Sequence, residues 1–243
     1  MKIDAHELEQ LAATQNRLDM YAGIHKAVRA FLADTLMAVG RLDAADAQDL
    51  AAACARVRDL LGFCEAHLRH ENDFVHPAIE ARSAGGSATI AGEHRDHERH
   101  IAQLRGAVQA LESAGPAMRQ AHATQLYREL ALFTADNLQH MHVEETAHNA
   151  LLWAAYTDAE LAAIHDALVA SIAPAEMMAV ARWMLPFMNP AERLAVLSDI
   201  RGKAPIEAFD AILGVVRPQL RDDEWAKLAR GLGIAPVPGL VGA

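Results

Sequence analysis

Aromatic residues are scarce in this chain, at 5% of 243 positions, although hydrophobic residues reach 52%. Ala and Leu carry the apolar mass, a bias that favours helices over strands. Glycine and proline are sparse before the C-terminal third, which leaves room for long helices. Cysteine is nearly missing: Cys54 and Cys64 are the two present. On one helix they stand about 15 Å apart along the axis and cannot bridge. No C-x2-C pair of a zinc ribbon exists. Two such thiols suit a reduced, cytoplasmic setting as small core-facing residues. Positive charge is short as well. The formal net charge is −10 and no Lys/Arg-rich run occurs, which argues against nucleic acid or an anionic membrane as a partner. No apolar run is long enough to span a bilayer. The opening "MKIDAHELEQ" lacks the apolar core of a secretory signal.

What is present is helical periodicity. Leu18, Tyr21, Ile24, Val28, Phe31 and Leu32 recur at helical spacing and predict a helix from Thr14 to Val39. Asp43 or Asp46 is the candidate N-cap of a second helix, Ala47 to Ala81, which Pro77 should bend or interrupt. "SAGGSAT" is a loop, a third helix spans Ile90 to Glu112, and a fourth opens at Pro116 and runs to Tyr156. Long helices on short connectors predict an all-α fold, an up-down-up-down four-helix bundle over residues 1–160. "TDAELAAIHDALVA" reads as a shorter helix leading out of it. From Pro174, short segments punctuated by prolines predict a small all-α appendage, so that residues 161–243 form a C-terminal extension. "APVPGLVGA" reads as a frayed tail.

Histidine is the outlier, with 13 residues. Nine of them fall in three clusters, His67/His70/His76, His94/His97/His100 and His140/His142/His148, each on a different predicted helix, and His25 lies on the remaining one. His-x-x-x-Glu places both side chains on one helix face. Chance supplies about one such pair in a chain of this composition; here they stand at 67/71, 76/80, 94/98 and 140/144. Each half of the bundle reads as a helix with His, then a helix with His-x-x-x-Glu. Neutral imidazoles suit first-row metals, and carboxylates can bridge two ions. Buried charges of this kind are tolerated when paired or metal-bound.

The order His … His-x-x-x-Glu … His … His-x-x-x-Glu resembles the hemerythrin family, the HHE cation-binding domain. "HLRHENDFVHPAIE" resembles its second helix and "NLQHMHVEETAHNALLW" its fourth. The resemblance covers about residues 14–156. It implies a non-haem di-iron centre: two iron ions, carboxylate-bridged with an oxo or hydroxo bridge, one keeping a position for dioxygen. Carried over, the ligands are His25, His67 with Glu71, His94, and His140 with Glu144. The founding members have His-x-x-x-His on the third helix, where this chain has Glu98; His97 or Glu98 completes the set, or water does. They also carry Asp five residues after the fourth-helix His. Position 145 here is Glu145, and the repeated four-residue spacing favours Glu144.

Helical geometry at about 100° per residue turns His76 to the far side of His67 and His142 away from His140. His100 and His148 read as rim residues, and His70 as a neighbour of the ligands. His6, His122 and His165 have no partners. "HEND" at 70–73 is not a zinc-protease motif, because Phe74 stands where a His is required. Tyr21, one turn before His25, reads as core or as a pocket wall, and the Met177, Met178, Met184 and Met188 run as packing. The expected function is a metal protein that binds or senses dioxygen, nitric oxide or iron. The alternatives are a di-iron oxidoreductase acting on dioxygen, peroxide or nitric oxide, and a metal-free interaction scaffold. Histidine-rich ligation favours binding over oxidation, and Glu98 as a ligand would shift the balance toward redox chemistry. The C-terminal extension is expected to cover the bundle, dimerise or meet a protein partner through Trp183 or Trp225.

Overall fold

The computed structural model describes residues 17–235. Every regular element among them is helical. The residues divide into two compact units: one runs to His25 and then Phe31–Ser171, the other comprises Lys26–Ala30 and the chain from Ile172. His6, the expected helix start at Thr14 and most of the expected tail lie outside the described residues.

Helix α1 is Ala22–Gly40 and begins later than its periodicity suggests. The Asp19 carboxylate accepts hydrogen bonds from the N–H groups of Tyr21 and Ala22, so Leu18 precedes the helix. Helix α2 is Ala47–His70, and Asp46 caps it by accepting from the N–H groups of Gln48 and Asp49. A π-helical turn, Glu71–Val75, follows directly and leads into α3, His76–Arg82. The loop after α3 turns at Gly85, whose φ of 79° favours glycine. Glu80 ties that loop by accepting from the N–H groups of Gly85 and Ser87. Helix α4 is Ala88–Ser113, and α5 opens on Pro116 and runs to Val143. A second π-helical turn, Glu144–His148, joins α5 to α6, Asn149–Ala155.

Helix α7, Asp158–Ser171, belongs to the first unit rather than leading out of it. Its Leu161 is fully buried with Tyr21, Val75, Ile79 and Leu152. Arg17 secures this end by donating to the carbonyls of Trp153 and Tyr156 and to Asp158. The unit therefore ends at Ser171, beyond the expected boundary at 160. Deeper in the first unit, Leu32, Leu60, Leu61, Ile101, Leu104, Leu126, Leu130 and Phe133 are fully buried. Each such side chain contributes about 1.5–3 kcal/mol by leaving water. Cys54 and Cys64 are free and buried, as their scarcity suggested; burial pushes the Cys64 thiol up to about 12.

The second unit contains α8 (Pro174–Met184), α9 (Pro190–Lys203), α10 (Ile206–Val216) and α11 (Asp222–Leu232). Its core gathers Leu185, Leu197, Phe209, Val216, Trp225 and Leu228. Trp225 is thus a core residue, not a contact surface. Trp183 stacks on the exposed Phe187 at 6.0 Å. Arg193 is buried and donates to the carbonyls of Leu185, Pro186 and Met188 around the proline-broken turn. No single helix among the described residues is long and apolar enough to cross a membrane.

Candidate metal centre

The two π turns set the site. Each starts at a carboxylate, Glu71 or Glu144, one helical turn after a histidine. In the first, the N–H of His76 donates to the carbonyl of Glu71, five residues back. Pro77 explains the break, since it has no N–H to continue the α ladder. In the second, the N–H of Asn149 donates to the carbonyl of Glu144, again five back. The Asn149 side chain then takes the Glu145 carbonyl that its own N–H gave up. The Thr146 hydroxyl takes the His142 carbonyl. Side-chain competition of this kind loosens a helix locally, and π bulges cluster at functional sites.

Glu71 and Glu144 meet in the core, 3% and 0% exposed, with histidines on either side. Glu71 Oε1 lies 3.6 Å from His25 Nε2 and 3.4 Å from His67 Nε2, and its Oε2 lies 3.5 Å from His94 Nε2. Glu144 Oε2 is 3.4 Å from both His25 and His140 Nε2, and its Oε1 is 3.5 Å from His94 Nε2. These separations are long for charge-assisted hydrogen bonds. Both oxygens of both carboxylates are buried without a hydrogen-bond partner, as are Nε2 of His25 and His67. Ligand atoms of His25, His67, Glu71 and Glu144 lie within 4.8 Å of one another, and so do those of Glu71, His94, His140 and Glu144. The two groups share both carboxylates.

The far nitrogens of these rings are held in place. His25 Nδ1 lies 3.0 Å from Glu145, His94 Nδ1 lies 2.8 Å from Asn72 Oδ1, and His140 Nδ1 lies 2.8 Å from Glu93. An acceptor at Nδ1 keeps the proton there and turns the Nε2 lone pair toward the carboxylates, the usual arrangement of a metal-ligating histidine. The residues present therefore fit a pair of metal ions.

Electrostatics agree with a crowded, desolvated cluster. Burial and the neighbouring charge of Glu144 raise Glu71 to about 7. Glu144 is held well below the usual range: burial opposes its charge, but His140, His25 and His94 outweigh it. Burial also opposes charge on His140, yet Glu144 and Glu93 lift it to about 9. Glu144, Glu145 and Glu71 likewise lift His25 against its burial. Burial, aided by His25, drives His67 well below its ordinary value.

Of the residues expected from sequence, His25, His67, Glu71, His94, His140 and Glu144 come together. Glu98 does not: it is exposed on the outer face of α4. His97 is buried, but its Nε2 faces Asp136 at 3.0 Å and it joins neither group. The pairing of Glu144 with Glu145 is resolved by division of labour, Glu144 inside the cluster and Glu145 behind His25. His76 and His148 correct the reading from sequence. Both are buried, at 6% and 2% exposure, and both face the cluster. A π turn adds a residue without advancing the face, so the rotation counted at about 100° per residue overshoots by one step. His148 then falls about 20° from the His140 line, and His76 moves from about 180° to about 80° off His67. Pro77 was the visible signal for the first shift; Thr146 and Asn149 were the faint ones for the second. His70, His100 and His142 are part-exposed and His165 is exposed.

A cavity of about 160 Å³ lined by Glu93, Asp96, Asp136, Gln139, His140 and Val143 reaches the His140 side of the cluster. The model of the hemerythrin HHE cation binding domain matches residues 16–151, more than half of the chain, and the chain belongs to that family. No curated protein and no solved structure matches it significantly.

Proposed function

We propose that this hemerythrin-family chain is a non-haem di-iron protein that binds or senses dioxygen, or a related small ligand such as nitric oxide. In this reading the four long helices form an up-down-up-down bundle around the metal pair. The sharing of Glu71 and Glu144 between two donor groups carries the reading. Glu71 offers one oxygen to the His25/His67 side and the other to the His94 side, as a bridging carboxylate must. His25 and His67 would hold one ion, and His94 and His140 would hold the other.

Iron is favoured over magnesium or calcium because four of the six donors are imidazoles. When bound, iron supplies a coordination position for dioxygen or another diatomic. The chain's own residues do the rest: Glu145, Asn72 and Glu93 orient the ring nitrogens, and Tyr21, Val75 and Ile79, all nearly fully buried, exclude water from one end. The histidine-rich donor set favours reversible binding, and the exposure of Glu98 removes the extra carboxylate that would have argued for oxidation. A cytoplasmic setting remains the expectation from the two free thiols.

Metal analysis of the purified chain, with optical spectra before and after oxygen exposure, tests this. Two irons per chain and a spectrum that reverses on oxygen removal are expected. Fewer than two irons would overturn the pair. Oxygen uptake that does not reverse, with turnover of a reductant, would replace the binding role with an enzymatic one.

A further inference from the structure

The cluster holds donors beyond the six residues assigned to the pair. His76, Glu144 and His148 each offer a ligand atom within 4.8 Å of the other two, and neither histidine belongs to the groups around Glu71. We propose that His76, His148 and Glu144 form a third cation position, a two-histidine, one-carboxylate site for a divalent first-row metal, beside the pair described above and sharing Glu144 with it.

Burial is the first support. His76 is 6% exposed and its Nε2 is buried with no hydrogen-bond partner. Its ring stacks on His94 at 4.8 Å and meets His148 edge-on at 5.6 Å. A polar nitrogen in such a place goes unsatisfied unless something electrophilic sits in front of it.

Orientation is the second. The Tyr21 hydroxyl lies 3.1 Å from His148 Nδ1, and both residues are buried. With the phenol oxygen accepting the Nδ1 proton, Nε2 of His148 is left with its lone pair free to act as a ligand. This is the same device that Glu145, Asn72 and Glu93 apply to His25, His94 and His140.

Backbone is the third. The two π turns are separate local departures from the α ladder with different local causes, Pro77 in one and Thr146 with Asn149 in the other. Both have the same result: each rotates a histidine inward, His76 from α3 and His148 from the turn itself. The carboxylate is suitably divided. Glu144 Oε1 faces His94, on which His76 stacks, while Oε2 faces His25 and His140.

The donor chemistry selects the ion. Two neutral imidazoles and one carboxylate suit iron(II), zinc or cobalt(II) and leave further positions open, whereas magnesium and calcium require mostly oxygen.

The test is a cobalt(II) titration of the metal-free full chain, followed by visible absorption, with bound metal counted by elemental analysis after desalting. Wild type is expected to take three ions, and the His76→Gln/His148→Gln double variant two. Tyr21→Phe keeps all three donors but releases His148, so its third ion should bind about 10–100-fold more weakly. Tyr21→Phe and single His76→Gln decide the matter if the double variant does not fold, as read by circular dichroism; an unweakened third ion in both would overturn the site. A wild type that saturates at two ions, both kept in the double variant, overturns the third position and leaves the pair intact. A wild type that holds one ion, lost with His76 and His148, overturns the pair and supports this position.

Discussion

His94 and His140 face each other nitrogen to nitrogen, Nε2 to Nε2, at 3.1 Å. Both Nδ1 atoms are already opposite acceptors, Asn72 Oδ1 and Glu93. With the protons on Nδ1, two lone pairs point at one another. That arrangement repels unless a cation stands between them. Two nitrogens bound at right angles to one ion, each about 2.1 Å from it, lie about 3 Å apart. Without metal, a proton does the same work, and the lift of His140 to about 9 follows from its carboxylate partners.

Loss of a histidine and loss of a bridge should differ. His67→Ala removes a donor from one group only, so one ion of the pair is expected to go while the His94/His140 ion remains. Glu71→Ala touches both groups and should weaken both ions together. Metal counts on the two variants distinguish these outcomes. Equal loss from both would contradict a bridging Glu71. Glu98→Gln, on an exposed residue, should change neither count.

The residues behind the ring nitrogens come next. Glu93→Gln keeps the shape but removes the charge that orients His140. Metal affinity should fall about 10–100-fold with the fold unchanged. Competition against a chelator measures it, and unchanged affinity would reduce Glu93 to a surface contact.

How much of this was legible beforehand depended on helix regularity. The cluster residues on unbroken stretches, His25 on α1, His67 on α2 and His94 on α4, could be placed by counting residues. So could Glu71 and Glu144, because each stands one turn after its histidine, before the π turn has shifted the face. Beyond that point the count failed: His76 was assigned to the far side and His148 to the rim, and both are buried against the cluster. Glu98 and His97 failed for another reason: nothing in a helical repeat says which of two neighbours meets the core, and here Asp136 draws His97 aside. The start of α1 was misjudged because Leu18 fits the apolar rhythm while Asp19 stops the helix. The Cys54 and Cys64 thiols and the Asp46 cap needed only local chemistry, and were foreseeable.

Metal-free protein should show a stability maximum near pH 6.5. His76 and His97 are lowered to about 4, and His67 and His148 are also lowered, in each case first by burial. Between about pH 4 and 6.5 the unfolded chain binds more protons at these groups, so stability rises with pH. Glu71, raised to about 7 by burial and Glu144, works against them over about pH 4.5–7, one group against four. Above 6.5 the sign turns. His140, at about 9, and His25 keep protons that the unfolded chain has lost, so stability falls as pH climbs toward 9. Thermal melts across this range measure the curve. Bound metal displaces the protons and should flatten the alkaline limb; an alkaline limb that persists with metal bound would place the titration elsewhere.

The second unit depends on one buried cation. Arg193 is 2% exposed and satisfies three backbone carbonyls, those of Leu185, Pro186 and Met188. Burial lowers its pKa, as expected of a guanidinium held mainly by dipoles. Arg193→Met keeps much of the apolar stem but takes a donor from each of those carbonyls, of which Leu185 keeps the N–H of Met188, at a cost of roughly 2–4 kcal/mol. Trp183 and Trp225 lie in this unit and Trp153 in the other, so fluorescence in urea follows it with modest background. The expected result is a lower midpoint for the tryptophan transition with the metal count unchanged. A metal count that falls with the midpoint would mean that the metal site depends on the second unit, and would give the C-terminal residues a part in holding the ions.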